Sequence, residues 1–150
     1  MHFDELQYTQ LLSCSAKDRS THGLGALQQL SAADCAYTND SGCVTVGGMH
    51  DGEEFEHTLR SMTAVQIQGG AKKHLLQTIA GVLVLGNIEF QDDKLGEACF
   101  VTEASKYALE AASELLGLGS SGATLLAEAL STQVDTSFSS SVYFSIITAL

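Results

Sequence analysis

The sequence predicts a mainly α-helical fold, an irregular helical bundle with short extended segments. Apolar residues recur at intervals of three and four within 55–65, 75–85, 104–116 and 125–130, which places them along one side of a helix. These runs are bounded by glycine, serine, threonine or aspartate, the residues that start and stop helices. Strand-like alternation is confined to a few positions near 43–46 and 88–90. At 150 residues the chain has the size of one domain.

The first element is expected over 2–13, where Phe3, Leu6, Leu11 and Leu12 alternate loosely with polar residues. A helix that starts so near residue 1 leaves no room for an incoming connection, so a domain extending upstream is expected. Residues 14–25 are polar and glycine-punctuated and read as a loop or frayed turns, leading to a short helical piece at 26–30. Residues 31–48 read as a structured loop, with turn formers at Asn39, Asp40, Ser41 and Gly42, a double glycine at 47–48, and an extended piece at Cys43, Val44 and Val46.

A clearer helix start follows. Asp51 can cap the free backbone N–H groups, with Glu54 in the capping-box position and Glu53, Glu54 and Glu56 placing negative charge in the first turn. Phe55, Leu59, Met62 and Val65 form its apolar stripe, and Gly69–Gly70 is expected to end it. The segment 71–90 is expected to hold the most buried helix. Leu75, Leu76, Ile79, Val82 and Leu83 lie on one side, Val84 and Leu85 widen it, and Gly81 marks close helix packing. Gly86–Asn87 reads as the C-cap, after which Ile88, Glu89 and Phe90 alternate as a short strand.

An acidic connector with Asp92, Asp93 and Glu97 spans 91–102, and Thr102 is expected to cap a helix over 103–116. Ala104, Tyr107, Ala108, Ala111, Ala112, Leu115 and Leu116 give that helix a face of mostly small residues that a neighbour can approach, and Gly117 closes it. Ser120 or Ser121 opens a last helix with Leu125, Leu126, Ala129 and Leu130 facing inward. Residues 131–141 are polar and 142–150 apolar and uncharged, so 135–150 is left as an unassigned tail.

Charge excludes some functions. Eighteen acidic residues against seven Lys and Arg give −11, a field that repels nucleic acid and anionic membranes. No stretch approaches the roughly 18 apolar residues of a membrane span. Proline and tryptophan are absent. The cysteines at 14, 35, 43 and 99 form no C-x-x-C pair and nothing resembles a secretory leader, so free thiols in a reduced compartment are expected, with disulfides as the alternative.

No catalytic, cofactor-binding or metal-ligating residue is predicted. His50 with Asp51 and Glu54, or His57 with Glu53 and Glu54, lacks H-E-x-x-H or Cys/His knuckle spacing and reads as a solvated acidic helix start. Lys72, Lys73 and His74 read as surface charge, with an anion contact as the alternative. There is no G-x-S-x-G elbow behind a Ser-His-Asp site. The glycines at 23, 25, 47, 48, 69 and 70 form neither G-x-x-x-x-G-K nor G-x-G-x-x-G, so no backbone cradle for phosphates is present. Residues 119–122 (GSSG) read as a helix cap. Cys14, Cys35 and Cys99 have no cationic neighbourhood beyond Lys17 and Arg19 and read as inert.

Three blocks in order, 31–62, 74–90 and 108–118, preceded by YTQLL at 8–12, together resemble the myosin motor domain. Tyr37, Asn39, Ser41, Gly42 and Cys43 match a Y-x-N-x-S-G-C loop, and Leu85-Gly86-Asn87-Ile88 with Phe90 matches an LGNIxF turn. The likeness covers 2–134 and is to the internal, mostly helical part of the upper cleft subdomain. It implies a piece of the larger α/β P-loop motor fold, in an ATP-driven motor that moves on actin filaments, located in the cytoplasm, the cytoskeleton and the myosin complex. ATP and magnesium are implied for the full-length family. Its P-loop and first switch are expected upstream of residue 1, and its second switch, relay helix and converter downstream, so no nucleotide-binding residue carries over. The implied partners are the remainder of the motor domain and actin. The alternative is a small helical protein-interaction module that uses the face of residues 75, 79, 82 and 83. Two stretches depart from the family pattern: residues 14–30 are shorter and richer in glycine, and in 63–71 Gly69–Gly70 stand in place of an acidic helix start.

Overall fold

Seven α-helices, three short 3-10 turns and one two-stranded ribbon make up the described residues, 3–39, 47–92 and 99–131, of the computed structural model. The helices are α1 (Phe3–Leu12), α2 (Ala16–His22), α3 (Ala36–Asn39), α4 (Asp51–Ala64), α5 (Gly69–Leu85), α6 (Lys106–Leu115) and α7 (Gly122–Ser131). The 3-10 turns cover Gly25–Leu27, Ala32–Asp34 and Glu103–Ser105. Strands β1 (Phe90–Asp92) and β2 (Cys99–Val101) pair antiparallel, with Phe90 opposite Val101 and Asp92 opposite Cys99. The mainly helical class predicted from periodicity is the class observed.

Helix α5 is the centre. It packs most extensively on α6 and also meets α1 and α2, while α1 packs on α4, and α6 on α7. The core joins Leu11 and Leu12 of α1, Leu24, Leu27, Phe55 of α4, Leu76, Ala80, Leu83 and Val84 of α5, and Ala108, Leu109, Ala112 and Leu115 of α6. The close approach of α5 and α6 depends on Gly81, where an added Cβ would lie 2.8 Å from Leu116 Cγ. The sequence marked Gly81 and the small-residue face of α6 for this.

Several expectations are corrected. Residues 14–25 contain a capped helix, not frayed turns. The Ser15 hydroxyl accepts from the Asp18 N–H (3.1 Å), and Gly23 closes α2 in the left-handed region at φ +66°. No residue of α2 is buried, so hydrophobic periodicity had nothing to detect. The expected helical piece at 26–30 is the 3-10 turn Gly25–Leu27. In the loop 31–48, Ser31 and Asp34 form a capping box that starts the second 3-10 turn, and α3 follows.

Helix α4 starts at Asp51, with His50 as N-cap and its carbonyl accepting from the Glu53 and Glu54 N–H groups; Asp51 is therefore the first helical residue and not the cap. It ends at Ala64, five residues before Gly69. Gln66 turns the chain at φ +67°, and Gly69–Gly70 opens α5 instead of closing α4. Val65 is consequently 67% exposed and off the stripe. On α5, Leu76 and Leu83 are enclosed, but Leu75 and Val82 are 40% and 38% exposed. Helices α1, α2 and α6 enclose the positions of Leu76, Leu83 and Val84 and leave Leu75 and Val82 uncovered.

Gly86 is not a left-handed cap; its φ of −62° is ordinary helix. The strand begins at Phe90, two residues after Ile88, which is buried, and the acidic connector 91–102 contains β2. Thr102 makes no side-chain bond to a helix N–H; its hydroxyl pairs with Ser105 Oγ at 3.0 Å. On α7, Leu126, Ala123 and Ala127 pack against the core while Leu125 is 58% exposed, because Gly122 sits directly against Ser113 and fixes the helix's rotation. The expected extended piece at Cys43–Val46, Asp93, Glu97 and the tail 135–150 lie outside the described residues.

Candidate functional site

Among the described residues no three His, Cys, Asp or Glu side chains are placed to hold a metal ion. His50 caps α4 through its backbone, and His57, Glu53 and Glu54 are exposed. Lys72 is engaged. Its ammonium donates to the Leu59 carbonyl (2.9 Å) and to Thr63 Oγ1 (2.6 Å), so it holds the C-terminal turns of α4 against the start of α5. Lys73 runs beside Gly23, and His74 is exposed. Residues 119–122 form the turn into α7, where the Ser121 carbonyl accepts from the Leu125 N–H.

Burial pushes the pKa of Cys14 up, against an opposing hydrogen bond and charge from Arg19. Burial likewise pushes Cys35 up, against an opposing hydrogen bond from Asn87. Cys14, Cys35 and Cys99 are all free.

The arrangement that does stand out joins the two family-like motifs. Asn87, in the turn after α5, spans the chain from both sides: its Oδ1 accepts from the Ala36 N–H (2.8 Å) and its Nδ2 donates to the Asp34 carbonyl (3.0 Å). Gly86 leaves room for the Tyr37 ring, whose Cε2 would lie 2.6 Å from an added Cβ. Tyr37 in turn stacks on Tyr8 of α1, with ring centroids 6.2 Å apart. Thr38 is buried, and its single hydroxyl proton is shared between the carbonyls of Ala32 and Cys35. On the far side, the Glu89 N–H donates to Ser105 Oγ (2.9 Å) and the Glu89 carbonyl accepts from the Thr102 N–H (3.0 Å). A shallow cleft of about 350 Å³ lies between Asp34, Ala36, Asn39, Gly86 and Asn87.

This junction binds α1, segment 31–39, the end of α5 and the start of α6 into one unit. It is built from amides, hydroxyls and rings, with Asp34, Cys35 and Glu89 also lining the cleft, and its hydrogen bonds position backbone.

Sequence reasoning missed a second organiser. Arg19 donates to the carbonyls of Leu12 (2.6 Å), Leu27 (3.3 Å) and Gln28 (3.3 Å), tying the end of α1 to the 3-10 turn after α2. A cation beside two helix ends is the signal that would have found it. No helix among the described residues is long and apolar enough to cross a membrane.

Comparison with known proteins agrees with the motif reading. The family described as myosin head (motor domain) matches residues 8–146. Myosin-B/C of Toxoplasma gondii is 29% identical over 130 residues, covering 75% of this chain and 11% of that protein. Myosin-1 of Yarrowia lipolytica is 33% identical over 86 residues, covering 57% of this chain and 7% of that protein. The non-muscle myosin-2 heavy chain of Acanthamoeba castellanii is 34% identical over 89 residues, covering 59% of this chain and 6% of that protein. The chain thus spans about a tenth or less of the length of these relatives. With the motif order, the helical fold and a match over nearly the whole sequence in agreement, the chain belongs to the myosin head (motor domain) family.

Proposed function

We propose that the chain supplies scaffold helices to an actin-based, ATP-driven cytoskeletal motor, as the internal helical part of the upper cleft subdomain over residues 2–134. The Asn87 junction carries this reading. It ties Asp34 and Ala36, just ahead of the Y-x-N-x-S-G-C motif, to the LGNIxF turn through two side-chain hydrogen bonds, an arrangement that holds this segment and the end of α5 in fixed relation. ATP, magnesium and actin would be bound by other parts of a complete motor, and the remainder of that motor domain is the immediate partner. A cytoplasmic, cytoskeletal location follows from the same reading.

The test is a chimera in which residues 8–131 replace the matching segment of an active myosin motor. Retained actin-activated ATP hydrolysis is expected. A chimera that folds and binds ATP but gains nothing from actin would overturn the proposal, as would ATP hydrolysis by the purified 150-residue chain alone that persists through repurification. The alternative, a free-standing helical interaction module, draws on the exposure of Leu75 and Val82 on α5. It requires the isolated chain to be a cooperative monomer that captures a partner through those two side chains, and Leu75→Ser with Val82→Ser to abolish that capture.

A further inference from the structure

Residues 31–39 are secured differently from the helices around them. Their enclosed side chains are small, Cys35 and Thr38, with Ala32 partly covered and Tyr37 half exposed. Helices α5 and α6 instead bury Leu76, Leu83, Val84, Leu109 and Leu115. Burial free energy scales with apolar area, so the segment draws less from the core than its neighbours do. Polar contacts make up the difference: both Asn87 bonds, to Ala36 and to Asp34, lie at exposed positions, and the Tyr37 ring rests over Gly86. Segments with little apolar burial and solvent-exposed hydrogen bonds open at lower free energy than the whole molecule.

We infer that residues 31–39 form a strap that opens as a local unit while α1, α5 and α6 stay folded, and that the Asn87 side chain is the positioning group that keeps it closed. This goes beyond the motor reading and does not rest on it. Opening uncovers Cys35, which is fully buried in the closed strap, whereas Cys14, equally free and also buried, lies between α1 and α2 outside it. The two thiols therefore serve as reporter and control.

The experiment measures the rate at which a small aromatic disulfide labels each thiol in the full 150-residue chain under native conditions, resolved by peptide mass spectrometry. Asn87→Ala removes both bonds and is expected to accelerate labelling of Cys35 by about ten-fold or more while leaving Cys14 unchanged. Labelling proceeds from the open strap, where Cys35 no longer meets Asn87, so acceleration reports opening and not a change in thiol reactivity. Equal acceleration of both thiols, or none at Cys35, overturns the inference. Should Asn87→Ala fail to fold, the unaltered chain decides. Amide exchange at Thr38 and Asn39 that is insensitive to low urea supports a local opening, and the same urea dependence as the α5 amides refutes it.

Discussion

Replacing Gly86 by alanine should destabilise the chain although alanine is the better helix former. The backbone at Gly86 is right-handed, φ −62° and ψ −19°, so the glycine is not there for conformational freedom, and alanine would gain up to about 1 kcal/mol of propensity. Against this, the new methyl would lie 2.6, 2.7 and 3.1 Å from Cε2, Cδ2 and Cζ of Tyr37. A ring cannot bend away from such a contact and must leave. Tyr37 is 49% exposed, so about half of the 150–250 Å² that a tyrosine can bury is at stake, on the order of 2.5 kcal/mol. Losing the stack on Tyr8 adds about 0.5–1.5 kcal/mol. The net expectation is a loss of about 2 kcal/mol, read as a lower urea midpoint with unchanged slope. The decisive comparison is Gly86→Ala in a Tyr37→Ala background, where there is no ring to displace and the substitution should be neutral or stabilising. The same loss in both backgrounds would refute the steric account.

Other consequences can be checked on the same protein. Arg19→Lys keeps the charge but cannot fan out to three carbonyls on two elements, and should cost about 2 kcal/mol in thermal or urea unfolding. Burial raises the pKa of Cys14 and Cys35, so the folded state holds these thiol protons more tightly than the unfolded chain does. Their contribution is fully present below the ordinary thiol pKa of about 8.5 and is lost as pH rises through the raised values; the Cys14→Ala, Cys35→Ala double variant should flatten that alkaline fall in melting temperature. His22 shifts the other way, because burial and then the charge of Lys72 lower its pKa against the pull of Asp18. The unfolded chain takes up that proton first, so stability should decline as pH falls through about 6.5 and level off below the lowered folded value, and His22→Gln should remove this slope.

What could be read from the residues depended on where each element draws its stability. α5 and α6 bury aliphatic residues in register, so their existence, the role of Gly81 and the small-residue contact were legible from spacing alone. α2 buries nothing and is held by Ser15, Gly23 and the reach of Arg19 to carbonyls elsewhere, which leaves no periodic trace. The glycines misled for a related reason. Gly69–Gly70 can end one helix or begin another, and Gly86 looks like a cap when its purpose is to admit a ring from residue 37. At the junction, the motif residues Tyr37, Gly86 and Asn87 were singled out by family likeness, but that likeness did not say that one side chain bonds Ala36 and Asp34, 51 and 53 positions away in sequence.

By itself, then, the sequence determined the helical class, the central helix and the family, because periodic burial and ordered motifs are local properties of the chain. Only the tertiary structure decided which apolar positions stay exposed, where α4 gives way to α5, and what Asn87 and Arg19 hold. Those outcomes depend on which carbonyls and rings are brought within reach once the helices have packed, and that information is absent from spacing along the chain.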